Sequence, residues 1–293
     1  MKTAGAIIPT LPERLGYDNA TLTHMDTAGL LAIVIGVAAG GIAGVTGFGI
    51  GSLLTPVLAL QVDTRLAVAA VSVPHLAGTA LRFWILVPRR FAWWRGSPTA
   101  EPGRDAAGGT AASGIDRRVF WNFGLTSAAG GLAGALLQGW ASNRWLTLIF
   151  GLLLLFAGGG ELTGVTRRMR FHGPAAWMAG AASGLLGGLV GNQGGIRSAA
   201  LLGFDLSKQT LVATATAVAL LVDGARMPVY ITTQAGEMGA LWSWIAFATV
   251  GVVIGTVLGT RLLIRIPEGW FRRVLALVLA ALGAAMLARG AQV

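Results

Sequence analysis

The stretch Gly44-Val-Thr-Gly-Phe-Gly-Ile-Gly51 interrupts an apolar run from residue 28 to 60, and Gly187-Gly-Leu-Val-Gly-Asn-Gln-Gly-Gly195 interrupts a second from 174 to 203. About 20 apolar residues cross a ~30 Å hydrocarbon core as a helix. At 33 and 30 residues, each run is too long for one plain span and too short for two. The glycines predict broken helices, re-entrant or hairpin segments that enter and leave the membrane on one face. Irregular backbone is tolerated at that depth only inside protein or beside a cavity.

The rest of the chain reads as membrane protein. Of 293 residues, 54% are apolar and 12% charged, and the mean hydropathy is +0.69. A soluble domain carries about 25% charged residues, so the charge needed to coat a water-facing surface is missing. Cysteine is absent, which excludes disulfides, thiolate metal sites and cysteine nucleophiles. Six further apolar runs, at 66–88, 119–141, 145–166, 209–233, 240–262 and 270–289, have the length of single spans. No signal peptide is expected in the tail 1–27, which holds no apolar run of the kind such peptides need.

Loop charges set the expected orientation. A net charge of +10 would suggest nucleic acid in a soluble protein; in a membrane protein basic residues gather on the cytoplasmic side, and no nucleic-acid partner is expected. Loop 89–118 carries Arg89, Arg90, Arg95, Arg104, Arg117 and Arg118, and linker 167–173 carries Arg167, Arg168 and Arg170. Both are expected inside, whereas loop 234–239, with Glu237 and no base, is expected outside. Only a segment 174–203 that returns to its own side satisfies these assignments.

An internal repeat agrees with this. A shift of 144 lays Gly44, Gly47 and Gly51 on Gly188, Gly191 and Gly195, Ser72 on Thr216 and Arg82 on Arg226; further on, a shift of 121 lays Gly134 on Gly255. The division is a tail 1–27, membrane repeat 28–166, linker 167–173 and membrane repeat 174–293. Each repeat holds about five segments, an odd number, so the second is inverted, the architecture of secondary transporters with substrate at the repeat interface. The fold expected is an all-α polytopic membrane protein; eight plain spans in two groups of four are the alternative.

Arginines dominate the intramembrane charges. Arg197 follows the second break within apolar sequence, where a charge costs at least about 2.5–3.5 kcal/mol and needs a partner or a purpose. Asn192 and Gln193 add neutral donors, and Thr46, Ser52 and Thr55 add hydroxyls from the first half. Freed N–H groups at a half-helix N-terminus suit an anion. The expected binding set is therefore Arg197, Asn192, Gln193, Gly191, Gly194 and Gly195 with Thr46, Gly47, Phe48, Gly49, Ser52 and Thr55. Arg82 and Arg226 read either as charge-selecting or gating residues, or as structural cations that pair or snorkel; Asp223 sits three residues before Arg226 on the same face. His75 and Asp223 are candidates for proton coupling, His75 reading equally as a neutral hydrogen-bonding residue. Gly251-x3-Gly255-x3-Gly259 reads as helix packing through small residues.

Walker, HExxH and paired-carboxylate signatures are absent, so no enzyme, cofactor or metal site is expected. Over roughly residues 28–290 the chain resembles the sulfite exporter TauE/SafE family, also called toluene sulfonate uptake permeases. The resemblance rests on Gly44-Val-Thr-Gly-Phe-Gly-Ile-Gly-Ser-Leu-Leu-Thr-Pro56 with Asp63 and Ala67-Val-Ala69-Ala-Val-Ser72. In the second half it rests on Gly184-x2-Gly-Gly188-x2-Gly191-x2-Gly-Gly195, then Thr214-Ala-Thr216 and Asp223-x2-Arg226 before Tyr230. Gly191-Asn-Gln-Gly-Gly-Ile-Arg197 departs from the plainer glycine run of the family. The resemblance implies transport of sulfite, thiosulfate, sulfoacetate or other organosulfonates. The residues independently call for an anion. The expected setting is a bacterial inner membrane, with a proton or sodium as coupling ion and a possible homodimer. A passive anion channel is the first rival, and a membrane subunit or receptor using loop 89–118 is the second.

Overall fold

In the computed structural model the described residues are 19–46, 49–86, 114–165, 173–191, 208–262 and 268–292, with 171, 197, 200, 201, 204 and 206. They form nine helices and no strand: α1 Asn19–Thr46, α2 Ile50–Ala59, α3 Thr64–Leu86, α4 Arg117–Gln138, α5 Asn143–Thr163, α6 Pro174–Val190, α7 Lys208–Ala240, α8 Trp242–Leu262 and α9 Glu268–Gln292. Six, within α1, α3, α5, α7, α8 and α9, are long and apolar enough to cross a membrane. The protein is an all-helical, multi-pass membrane protein.

The expected span 119–141 corresponds to α4, which is not among the six. Its middle is built of Ser127, Ala128, Gly130, Gly131 and Gly134, small residues that lower its hydropathy and bring it close to its neighbours. The first helix begins at Asn19, so its first turns lie within residues 1–27. One end differs from expectation. Residues 234–239, expected as an outside loop, continue α7 to Ala240, and the chain turns at Leu241, whose N–H donates to the Met238 carbonyl. Ala235, Glu237 and Met238 sustain a helix despite Gly236 and Gly239, whose Cβ positions face open space. At 33 residues α7 is about 50 Å long, well beyond one bilayer core.

Packing follows the glycines. The most extensive helix pairs are α1 with α8, α4 with α6, and α5 with α9. Cβ atoms added at Gly251, Gly255 and Gly259 of α8 would run into the carbonyls of Ile33, Val37 and Gly41 of α1. In the other pair, Cβ atoms at Gly130 and Gly134 of α4 would run into Ala181 and Leu185 of α6, and those at Gly184 and Gly188 into Ser127 and Gly131 of α4. Such backbone contact is how helices associate in lipid, where burial of apolar surface supplies no drive.

The register of these contacts differs from the sequence alignment. Gly40 faces Val252 and Thr256, whereas Gly184, 144 positions later, faces Ser127 and Gly131. Val252 and Thr256 lie 125 positions beyond Ser127 and Gly131, as Gly255 and Gly259 lie beyond Gly130 and Gly134. Packing thus equates Gly134 with Gly259, one helical turn from the Gly255 assigned by the shift of 121. Glycines every fourth residue make the two alignments nearly equivalent in sequence, and contact separates them.

Gly184→Val is expected to lower stability by about 1–3 kcal/mol, because both partners in the contact are backbone and neither can rotate away. Gly224→Ala, with nothing within 4 Å of its Cβ position, should be neutral or gain up to about 1 kcal/mol in helix propensity. Melting midpoints in detergent check the pair; equal shifts would count against the packing argument.

Candidate functional site

Both glycine-rich stretches end helices. α1 stops at Thr46, and α2 starts behind Gly49, whose φ of 132° suits glycine. α6 stops at Val190 and is capped by Gly191 in the left-handed conformation, φ 75°. The two ends meet: a Cβ on Gly51 would collide with the Gly191 carbonyl oxygen and lie 3.8 Å from His75 Cδ2, while one on Gly191 would lie 3.4 Å from Thr55 Oγ1. Thr55 and Ser52 are both buried here.

Helix ends leave carbonyls without intrahelical partners, and side chains from α3, α4 and α7 reach several of them. Arg82 of α3 donates from Nη1 to the Ala43 carbonyl at 2.9 Å and from Nε to Thr216 Oγ1 at 3.1 Å. Arg226 of α7 donates from Nη1 to the Gly187 carbonyl at 2.6 Å. Both the arginines and the carbonyls they cap are 144 positions apart, and a cation at a helix C-terminus also meets the favourable end of its dipole. Tyr230 Oη donates to the Gly188 carbonyl, and Gln138 Nε2 to that of Leu189 at 3.0 Å. Arg82 and Arg226 are therefore structural caps of the helix ends, whatever further part they play; both are buried, so neither snorkels.

The halves differ in one respect. Asp223 Oδ1 accepts from Arg226 Nε at 3.0 Å and lies 2.7 Å from Nη2. Its Oδ2 lies 2.8 Å from His75 Nδ1. The position 144 residues before Asp223 is Thr79, so Arg82 has no carboxylate in the matching place. Arg197 is buried and within electrostatic reach of Asp223, Arg226 and Arg82. The buried charged residues among those described are three arginines and one aspartate. The surplus is positive.

Of the expected binding residues, Gly49, Ser52, Thr55 and Gly191 lie at the meeting of the helix ends, and Arg197 belongs to the same charge cluster. For Thr46 the backbone alone is described. Gly47, Phe48, Asn192, Gln193, Gly194 and Gly195 fall outside the described residues. Sequence reasoning missed Tyr230 and Gln138 as caps of α6; Tyr230 stood one turn beyond Arg226 on the same face, a spacing that could have found it. No group of three or more metal-ligating side chains occurs among the described residues.

Buried cations gather around two abutting helix ends of this multi-pass bundle, and the family that it matches is one of membrane transport proteins. The chain belongs to the sulfite exporter TauE/SafE family, whose model matches residues 106–286, more than half of its length. The match includes α6, its glycine cap, Arg197, Asp223 and Arg226; the first glycine-rich stretch precedes it. Comparison with curated proteins gives no match, and neither does comparison with solved structures.

Proposed function

We propose that the protein is a secondary carrier of small sulfur-containing anions across the bacterial inner membrane, with sulfite, sulfoacetate or another organosulfonate, or thiosulfate as substrate. The observation that carries this reading is the positive surplus of Arg82, Arg197 and Arg226 over Asp223 where the two helix ends meet. Each charge buried in a bilayer costs several kcal/mol; an anion offsets that cost. Arg197, buried in the same charge cluster, is the counter-charge in this reading. The N-terminus of α2, behind Gly49, is the positive end of that helix's dipole. Ser52 and Thr55 stand beside it, with Thr46, Asn192 and Gln193 as further donors. Gly47, Phe48, Gly49, Gly191, Gly194 and Gly195 complete the proposed binding set.

Two halves of opposite orientation are supported by the matching arginine caps and by the reciprocal helix pairs, in which α1 packs on α8 and α6 on α4. Alternating access then arises from one half moving against the other about the contact of Gly51 with Gly191.

Uptake of labelled sulfoacetate and sulfite into proteoliposomes, beside protein-free vesicles, tests the reading. Saturable uptake of either is the expected result. Flux that fails to saturate and runs at channel conductance would reassign the protein as a pore. Absence of uptake by folded protein would withdraw these substrates.

A further inference from the structure

We infer that His75 takes up a proton together with the anion, and that Asp223 positions His75 without itself carrying a proton. The inference rests on the anion site proposed above and adds a second ligand to it.

The argument starts at Asp223. Its carboxylate is held by Arg226 through Nε and Nη2 on one oxygen and by His75 Nδ1 on the other. An ion-paired carboxylate only accepts hydrogen bonds, so Nδ1 of His75 carries a hydrogen in both the neutral and the protonated ring. This fixes the tautomer and leaves Nε2 as the nitrogen with a lone pair to accept a proton. Among the described residues Nε2 has no hydrogen-bond partner. It lies on the Cδ2 edge of the ring, and Cδ2 is the atom 3.8 Å from the Cβ position of Gly51, where the helix ends meet. Exposure points the same way: 14% of the His75 side chain is accessible against 2% for Asp223. A proton and an anion can reach the imidazole. The carboxylate is sealed behind it.

The surrounding charges make the two ligands depend on each other. α2 and α6, packed against α3, carry no ionisable side chain; α5 contributes Arg144 and Glu161 and α8 Arg261, all near helix ends. From α7 the ring faces Asp223, already paired with Arg226. Within α3 the charges are Arg65 and Arg82, and Arg197 belongs to the same cluster. The site without its anion thus carries a surplus of positive charge. An anion against Nε2 reverses the local sign, and by linkage the proton strengthens anion binding by the same factor. On the side of higher proton activity Nε2 gains a proton from water as the anion binds. On the other side it returns the proton to water as the anion leaves.

The test uses sulfoacetate, whose acid groups neither take nor give a proton near neutral pH, so movement of the anion alone leaves the lumen pH unchanged. Proteoliposomes hold an entrapped pH dye, with potassium and valinomycin clamping the potential. An inward sulfoacetate gradient imposed at equal pH is expected to acidify the lumen in step with label entry. In H75Q, label entry should persist at a reduced, measurable rate with the proton-to-anion ratio at the protein-free background. Label entry without acidification in the wild type overturns the proton inference and leaves the carrier reading standing. Acidification that survives in H75Q also overturns it. No label entry by folded wild-type protein removes the carrier reading for this substrate and the inference with it. Wild-type flux tests the coupling itself; where H75Q does not fold, H75N, whose amide nitrogen stands in place of Nδ1 toward Asp223, reads the assignment to His75 by the same proton-to-anion ratio.

Discussion

Arg226→Met is expected to destabilise the protein by about 3–5 kcal/mol, the cost of leaving one member of a buried ion pair without the other. The substitution strips Asp223 of two guanidinium contacts and the Gly187 carbonyl of its side-chain donor. It also removes the cation 5.9 Å from the centre of the Tyr230 ring. Asp223, 1% exposed, would then be left with the His75 imidazole as its side-chain hydrogen-bond partner. Asp223→Asn in the Arg226→Met background should recover part of the loss, because the second change removes the stranded charge. Arg82→Met gives the comparison: it uncaps Ala43 in the same way but strands no carboxylate, so the cost should be about 1–3 kcal/mol. Thermal midpoints in detergent, followed by tryptophan fluorescence, rank the three. If the two single variants melt together, or the double variant melts no higher than Arg226→Met, the ion pair is not what makes Arg226 costly to lose.

Arg197→Gln is expected to weaken sulfoacetate half-saturation by about ten- to a hundred-fold. Loss of a hydrogen bond to a charged group is worth about 1.5–3 kcal/mol, and each 1.4 kcal/mol is tenfold. The effect should fall on transport more than on folding. Arg82 and Arg226 hold helix ends together, whereas the reading of Arg197 is that it faces the anion. Concentration series in proteoliposomes, with melting midpoints on the same preparations, separate the two. Wild-type half-saturation in the variant would remove Arg197 from the binding set. A melting loss as large as that of Arg226→Met would make it another structural cation.

The candidate site was legible in outline because its chemistry is costly in a membrane. Arginines and an aspartate within apolar sequence stand out whatever their partners, and glycine clusters mark where a helix cannot run straight. Arg82 and Arg226 stand 144 positions apart, and so do the Ala43 and Gly187 carbonyls to which they donate. Their shared task was not legible, since a carbonyl acceptor is present at every residue and leaves no sequence signal. The pairing of His75 with Asp223 was hidden for a related reason. The two are 148 residues apart on different helices, and neither has its equivalent in the other half, where Ala219 and Thr79 stand.

The sequence alone determined that this is a helical membrane protein, that its intramembrane charge is mostly positive, and where two of its helices end. These are properties of segments, set by the cost of placing backbone and charge in hydrocarbon. The tertiary structure decided how the segments engage: that Gly51 meets Gly191, that α7 runs through residues 234–239, and that Gly134 matches Gly259. It also made Arg226 a cap and Asp223 a partner to two residues at once. Each of these depends on which surfaces come into contact, and a glycine every fourth residue offers several registers of nearly equal merit until neighbouring side chains select one.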